Sequence, residues 1–129
     1  MEYLIALDAV INRGIEGCKK TYKHEPHKLE GSIQGFESCR NKTPEELFKL
    51  LNESHEDTET ARRRIHEKKI STQEFWKIRH AELQIEWTCN NMSVFLIEAG
   101  LKSPFPRHVG PTAFAYRNMV TILGVRAPD

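Results

Sequence analysis

The sequence predicts an all-α protein, a compact bundle of four to six helices around a central hydrophobic helix at about 72–99. Three observations carry this. Apolar residues recur at three- and four-residue steps along most of the chain, as on one face of a helix. Two helix-start signatures, Thr43-Pro44-Glu45-Glu46 and Ser71-Thr72-Gln73-Glu74, place a hydroxyl at the cap and a Glu three residues on, the spacing of a capping box. No segment alternates with period two between turn residues, as a strand would. With 129 residues, 39% of them hydrophobic, the chain suits a single helical domain over 1–129, able to bury its core without disulfides or metal.

Leu4, Leu7, Ile11, Ile15, Cys18 and Tyr22 mark the first helix, from about Glu2 to Lys23. Gly14 and Gly17 lie inside it, at about 1 kcal/mol each relative to Ala, and leave a bare patch where another helix can approach. The segment Lys23-His24-Glu25-Pro26-His27 makes a turn, because Pro removes a donor and disfavours helix at the residue before it. Leu29, Ile33 and Phe36 mark a short second helix, weakened by Gly31 and Gly35 and ending near Arg40-Asn41-Lys42.

Leu47, Leu50 and Leu51 start the third helix, whose apolar face fades through residues 52–60 and resumes at Ala61 and Ile65. Either one long helix continues with a polar seam of Ser54 and Thr58, or the chain breaks near Asn52 and restarts with Ser54 as cap. Acids before residue 60 and bases after it suit the dipole of a helix starting near Ser54, and the pattern favours a bend over a full stop.

Phe75 to Leu101 is the strongest helix, and Gly100 stands where a left-handed C-terminal residue is expected. It carries two apolar faces: Ile78, Ile85, Cys89, Met92 and Leu96 on one, Trp76, Leu83, Trp87, Val94 and Ile97 on the other. Burial on two sides makes it central, with the first and last helices as its expected neighbours. An extended connection over 102–110 leads to that last helix, from Pro111 to Leu123, stopped by Gly124.

No stretch approaches the roughly 20 apolar residues that span a bilayer, and the N-terminus lacks the basic region of a signal peptide. The expectation is a soluble, cytoplasmic protein with no membrane partner. Cys18, Cys39 and Cys89 are odd in number and widely spaced, which fits buried, reduced thiols. Residues 1–60 carry 8 Lys/Arg against 12 Asp/Glu, and residues 61–129 carry 11 against 6, so the two halves have opposite sign. Such polarity either orients an acidic partner or is satisfied between packed helices.

The main candidate for function is the basic helix at about 61–80, with Arg62, Arg63, Arg64, Lys68 and Lys69 as binding residues. Its partner would be acidic: nucleic acid, a protein surface, or a second copy of the chain in a homodimer. Phosphates fit such a surface because neutralising them releases counterions. The competing reading is a solvated face in which Glu59 pairs with Arg62 or Arg63. Arg107 and His108, just before the last helix, complete the binding set, since helix N-termini attract anions.

The alternative is a small helical-bundle enzyme, or an anion- or metal-binding domain, using Glu82 and Glu86 with Arg107 and His108. Two carboxylates four residues apart share a helical face and can hold a cation or a proton. Against it stands a structural Arg79–Glu82 pair. His24 and His27 near Cys18 lack the three or four converging ligands of a metal site. No His is arranged with a Ser or Cys as a nucleophile–base pair, so the sequence designates no catalytic residue, no metal ligand and no cofactor.

Overall fold

The first apolar stripe folds as α1 (Glu2–Thr21), which buries Ala6, Leu7, Val10, Ile11, Gly14 and Cys18. The computed structural model describes residues 2–101 of the chain. Four more helices follow: α2 (Pro26–Ser38), α3 (Pro44–His66), α4 (Thr72–Asn91) and α5 (Ser93–Glu98), with no strand among the described residues. The last helix expected over 111–123 lies outside the described residues, as do Arg107 and His108. None of the described helices is long and apolar enough to cross a membrane.

Local chemistry explains the boundaries. Thr43 caps α3 with a complete box: its hydroxyl accepts from the Glu46 amide and the Glu46 carboxylate accepts from the Thr43 amide, both at 3.1 Å. Ser71 makes only half of that motif, accepting from the Glu74 amide at 3.1 Å. α3 is continuous from Pro44 to His66, which resolves the choice between one helix and two. Its polar seam is not left for a partner, because Ser54 and Thr58 are buried where α3 packs on α4. Ser54 donates to the Leu51 carbonyl at 2.8 Å.

The end of α3 has the bond pattern of a Schellman cap: Lys69 N donates to Arg64 O and Lys68 N to Ile65 O, with Lys68 at φ 60°. A similar pattern closes α5, where Gly100 takes φ 82°, as its position predicts. The expected central helix at 72–99 is interrupted at Met92, φ −101° and ψ 9°. Next to the break, the Ser93 hydroxyl donates back to the carbonyls of Cys89 and Asn90 and competes with the backbone ladder.

The expected contact of the central helix with the last helix lies outside the described residues. Among the described residues α4 is central, with α2 and α3 as its principal neighbours and α1 contributing less than expected. Gly31 and Gly35, read from sequence only as weak points of α2, are the cause. A Cβ on Gly31 would stand 2.4 Å from the Lys77 carbonyl oxygen, and one on Gly35 2.5 Å from that of Ala81. α2 and α4 therefore run parallel with their backbones in close approach. Gly14 receives the Phe36 ring, whereas Gly17 faces open space. Phe36 in turn meets Trp87 edge to face at 5.6 Å. The core gathers Leu7, Ile11, Phe36, Leu47, Leu51, Ile85, Met92 and Leu96. Leu4 lies outside it, exposed on α1.

Candidate functional site

α3 and α4 form an antiparallel hairpin whose connection carries the basic stretch. Arg62, Arg63, Arg64, Lys68 and Lys69 are all exposed. Arg62 pairs with Glu59 at 3.6 Å, as the spacing predicts, and Lys69 pairs with Glu67 at 2.9 Å. Packing adds cations that are distant in sequence. The Tyr22 ring at the end of α1 meets His80 at 5.0 Å, and Lys28 of α2 stands 5.4 Å from the centroid of Trp76. The C-terminal end of α1 and the N-terminal end of α2 therefore join the tip of the hairpin. Lys19, Lys20 and Lys23 come with them.

At this end of the bundle, Lys19, Lys20, Lys23, Arg63, Arg64 and Lys68 are exposed and form no ion pair among the described residues. Two aromatic rings lie among the charges. Phe75 carries the Arg62 guanidinium 6.0 Å from its centroid, and Trp76 stays 39% exposed beside a notch lined by Pro26, His27, Lys28 and Gln73. Lysines 19, 20, 23 and 28 escaped the sequence reading because no spacing rule predicts which helix ends share one end of a bundle.

A second constellation lies on the α3–α4 hairpin, about two helical turns from the Arg62–Phe75 contact, since His55 and Glu82 are each seven residues from Arg62 and Phe75. Glu82 is only 1% exposed, and its carboxylate is held from both sides. Arg79 donates to Oε1, and His55 Nδ1 lies 2.8 Å from Oε2. Glu86 is half-buried one turn on, and its carboxyl is pushed above the usual range by burial first and by the Glu82 charge second. His55, Glu82 and Glu86 each offer a ligand atom within 4.8 Å of the others.

This geometry bears out the Arg79–Glu82 pair and adds a partner that the sequence did not suggest. His55 is 27 residues from Glu82. The signal was nonetheless present: two antiparallel helices joined by a short turn pair residues whose numbers have a constant sum, and 55 falls opposite 82. The buried carboxylate of Glu82 is compensated locally by Arg79 and His55, because an ion taken from water needs partners and hydrogen bonds. Reaching the basic end at Arg64 but not the His55–Glu82 cluster, a groove of about 480 Å³ separates α2 from α3 over the floor of α4. Its rim mixes Glu53, Asp57 and Glu74 with Arg64 and Lys77, and none of His55, Arg79, Glu82 or Glu86 lines it.

His24 and His27 are exposed and belong to no ligand cluster among the described residues. The three cysteines are free and buried, as expected. Comparison with protein families, curated proteins and solved structures finds no match to this chain.

Proposed function

We propose that this protein is a non-catalytic binding module that engages nucleic acid through the basic end of its bundle. The observation that carries the reading is the set of six exposed, unpaired cations drawn together there from α1, the α1–α2 turn, α3 and the α3–α4 turn. Cations already neutralised by neighbours gain little from phosphates; unpaired ones release the phosphates' counterions. The partly exposed Trp76 favours a single strand over an acidic protein surface, because a base can stack on an aromatic ring irrespective of sequence. A cytoplasmic setting belongs to the same reading and is supported by three buried, unpaired thiols.

The test is fluorescence anisotropy of a labelled single-stranded oligonucleotide at several salt concentrations. The triple variant Arg63→Glu, Arg64→Glu, Lys68→Glu, which reverses three of the unpaired cations, should bind more weakly, with its log–log salt slope reduced by about 2, near 0.7 per phosphate contact. Trp76→Ala should weaken binding by about 1–3 kcal/mol. Unchanged affinity and salt slope in the triple variant would sink the proposal; retained binding to an acidic protein with none to the oligonucleotide would move the partner to that class. Light scattering on the same samples tests the homodimer.

A further inference from the structure

The cluster on the flank of the hairpin supports an inference independent of the basic tip. Two carboxylates, Glu82 and Glu86, lie beside one guanidinium, Arg79, while His55 stands at the open side with 59% of its side chain exposed. Arg79 occupies Oε1 of Glu82 and thereby fixes the orientation of the carboxylate. Oε2 is left to face the imidazole. This division of the two oxygens resembles the way outer hydrogen bonds orient a metal-binding carboxylate.

We propose that His55, Glu82 and Glu86 form a binding site for a divalent cation of the zinc class. One imidazole nitrogen and two carboxylate oxygens suit zinc-like ions, which take nitrogen and oxygen donors, better than magnesium or calcium, which prefer oxygen alone. Metal–ligand bonds of about 2.1 Å in tetrahedral geometry separate ligand atoms by about 3.4 Å. The 2.8 Å between His55 Nδ1 and Glu82 Oε2, and the 4.8 Å within which ligand atoms of all three residues lie, bracket that spacing. Exposed His55 supplies the freedom to adjust, and buried Glu82 the rigid anchor. Three protein ligands leave a position open to water, the pattern of a site that can bind a further oxygen ligand.

Isothermal titration of the full chain with zinc chloride, in a buffer that does not chelate, tests this; cobalt(II) in place of zinc adds a visible absorption signature of the coordination. The expected result is one zinc per chain, with His55→Gln and Glu86→Gln each weakening binding at least about tenfold, since loss of an outer-shell partner alone has effects of that size. Far-UV circular dichroism should be unchanged in His55→Gln, whose position is exposed, so this variant remains decisive if Glu86→Gln disturbs the packing. A control variant, His24→Gln with His27→Gln, should bind as the parent does. The site is overturned if the parent takes up no zinc, if His55→Gln binds zinc as tightly as the parent, or if only the control variant loses it.

Discussion

Substituting alanine for Gly31 or Gly35 pits two effects of similar size against each other, and the geometry decides the sign. Within a helix, Gly→Ala gains about 1 kcal/mol from propensity and from reduced unfolded-state entropy. At Gly35 the new Cβ would meet the carbonyl oxygen of Ala81 at 2.5 Å and its Cα at 2.8 Å. At Gly31 the corresponding distances to Lys77 are 2.4 and 2.7 Å. Both obstacles are backbone of α4, so no side chain can swing aside, and α2 must withdraw by roughly 1 Å to restore ordinary contact. That movement loosens the Phe36–Trp87 contact and the Gln84–Ser32 hydrogen bond, at 3.3 Å, which span the same interface. Overpacking of this kind typically destabilises by about 1–3 kcal/mol before secondary losses. With the propensity gain of about 1 kcal/mol subtracted and those losses added, the net expectation is a loss of about 1–2 kcal/mol for each variant.

Gly17→Ala is the internal control. It lies in a helix with nothing within 4 Å of its Cβ and should stabilise by up to about 1 kcal/mol. Urea unfolding followed by far-UV circular dichroism measures all three, and a two-state fit with unchanged m-value keeps them comparable. If Gly31→Ala and Gly35→Ala unfold at the same or higher urea concentration than the parent, the reasoning that small residues draw α2 onto α4 is refuted.

Two further predictions concern single residues. Lys68 holds φ 60° at the end of α3, a conformation that strains residues with a side chain. Lys68→Gly should therefore stabilise by about 0.5–1 kcal/mol, after subtracting the greater unfolded-state freedom of glycine, as read by urea midpoint. The same change should weaken oligonucleotide binding, so stability and affinity move in opposite directions. His80 is held below its ordinary value of 6.5, by burial first and by Lys28 and Arg79 next, with Glu25 opposing. Between the folded and unfolded values the unfolded chain binds more protons, so this contribution is complete above about 6.5 and is lost as pH falls toward the lower folded value. His80→Phe, which keeps an aromatic ring between Tyr22 and Trp76, should lose less stability than the parent between about pH 7.5 and pH 5.5.

Helix limits were legible because they are set locally. Thr43, Ser71, Pro26, Pro44 and Gly100 act on atoms a few residues away, and spacing in sequence is spacing in space over that range. Helix partners were not. A glycine inside a helix reads as a propensity loss in one dimension, and its benefit exists only when a second backbone fills the space, as α4 does at Gly31 and Gly35. The break at Met92 was hidden for a related reason: Ser93 favours or disrupts the ladder according to where its hydroxyl turns, which the apolar pattern does not encode. The candidate sites divide in the same way. The run from Arg62 to Lys69 is contiguous and plain, whereas Lys28 and His55 join their clusters only through packing.

The buried thiols give the protein a built-in clock. Only a thiolate reacts readily with an alkylating reagent, and burial pushes Cys39 up to about 12 and Cys89 well above its usual range, with both side chains fully enclosed. Neither can be labelled until the chain around it opens. Cys18 sits near the end of α1, with a smaller share of its environment closed to water. Fraying of one helix end can expose it, while Cys39 and Cys89 wait for separation of α2, α3 and α4. Labelling rates of the three positions, resolved by mass spectrometry, therefore distinguish local opening from global unfolding in the unmodified chain, without an added probe.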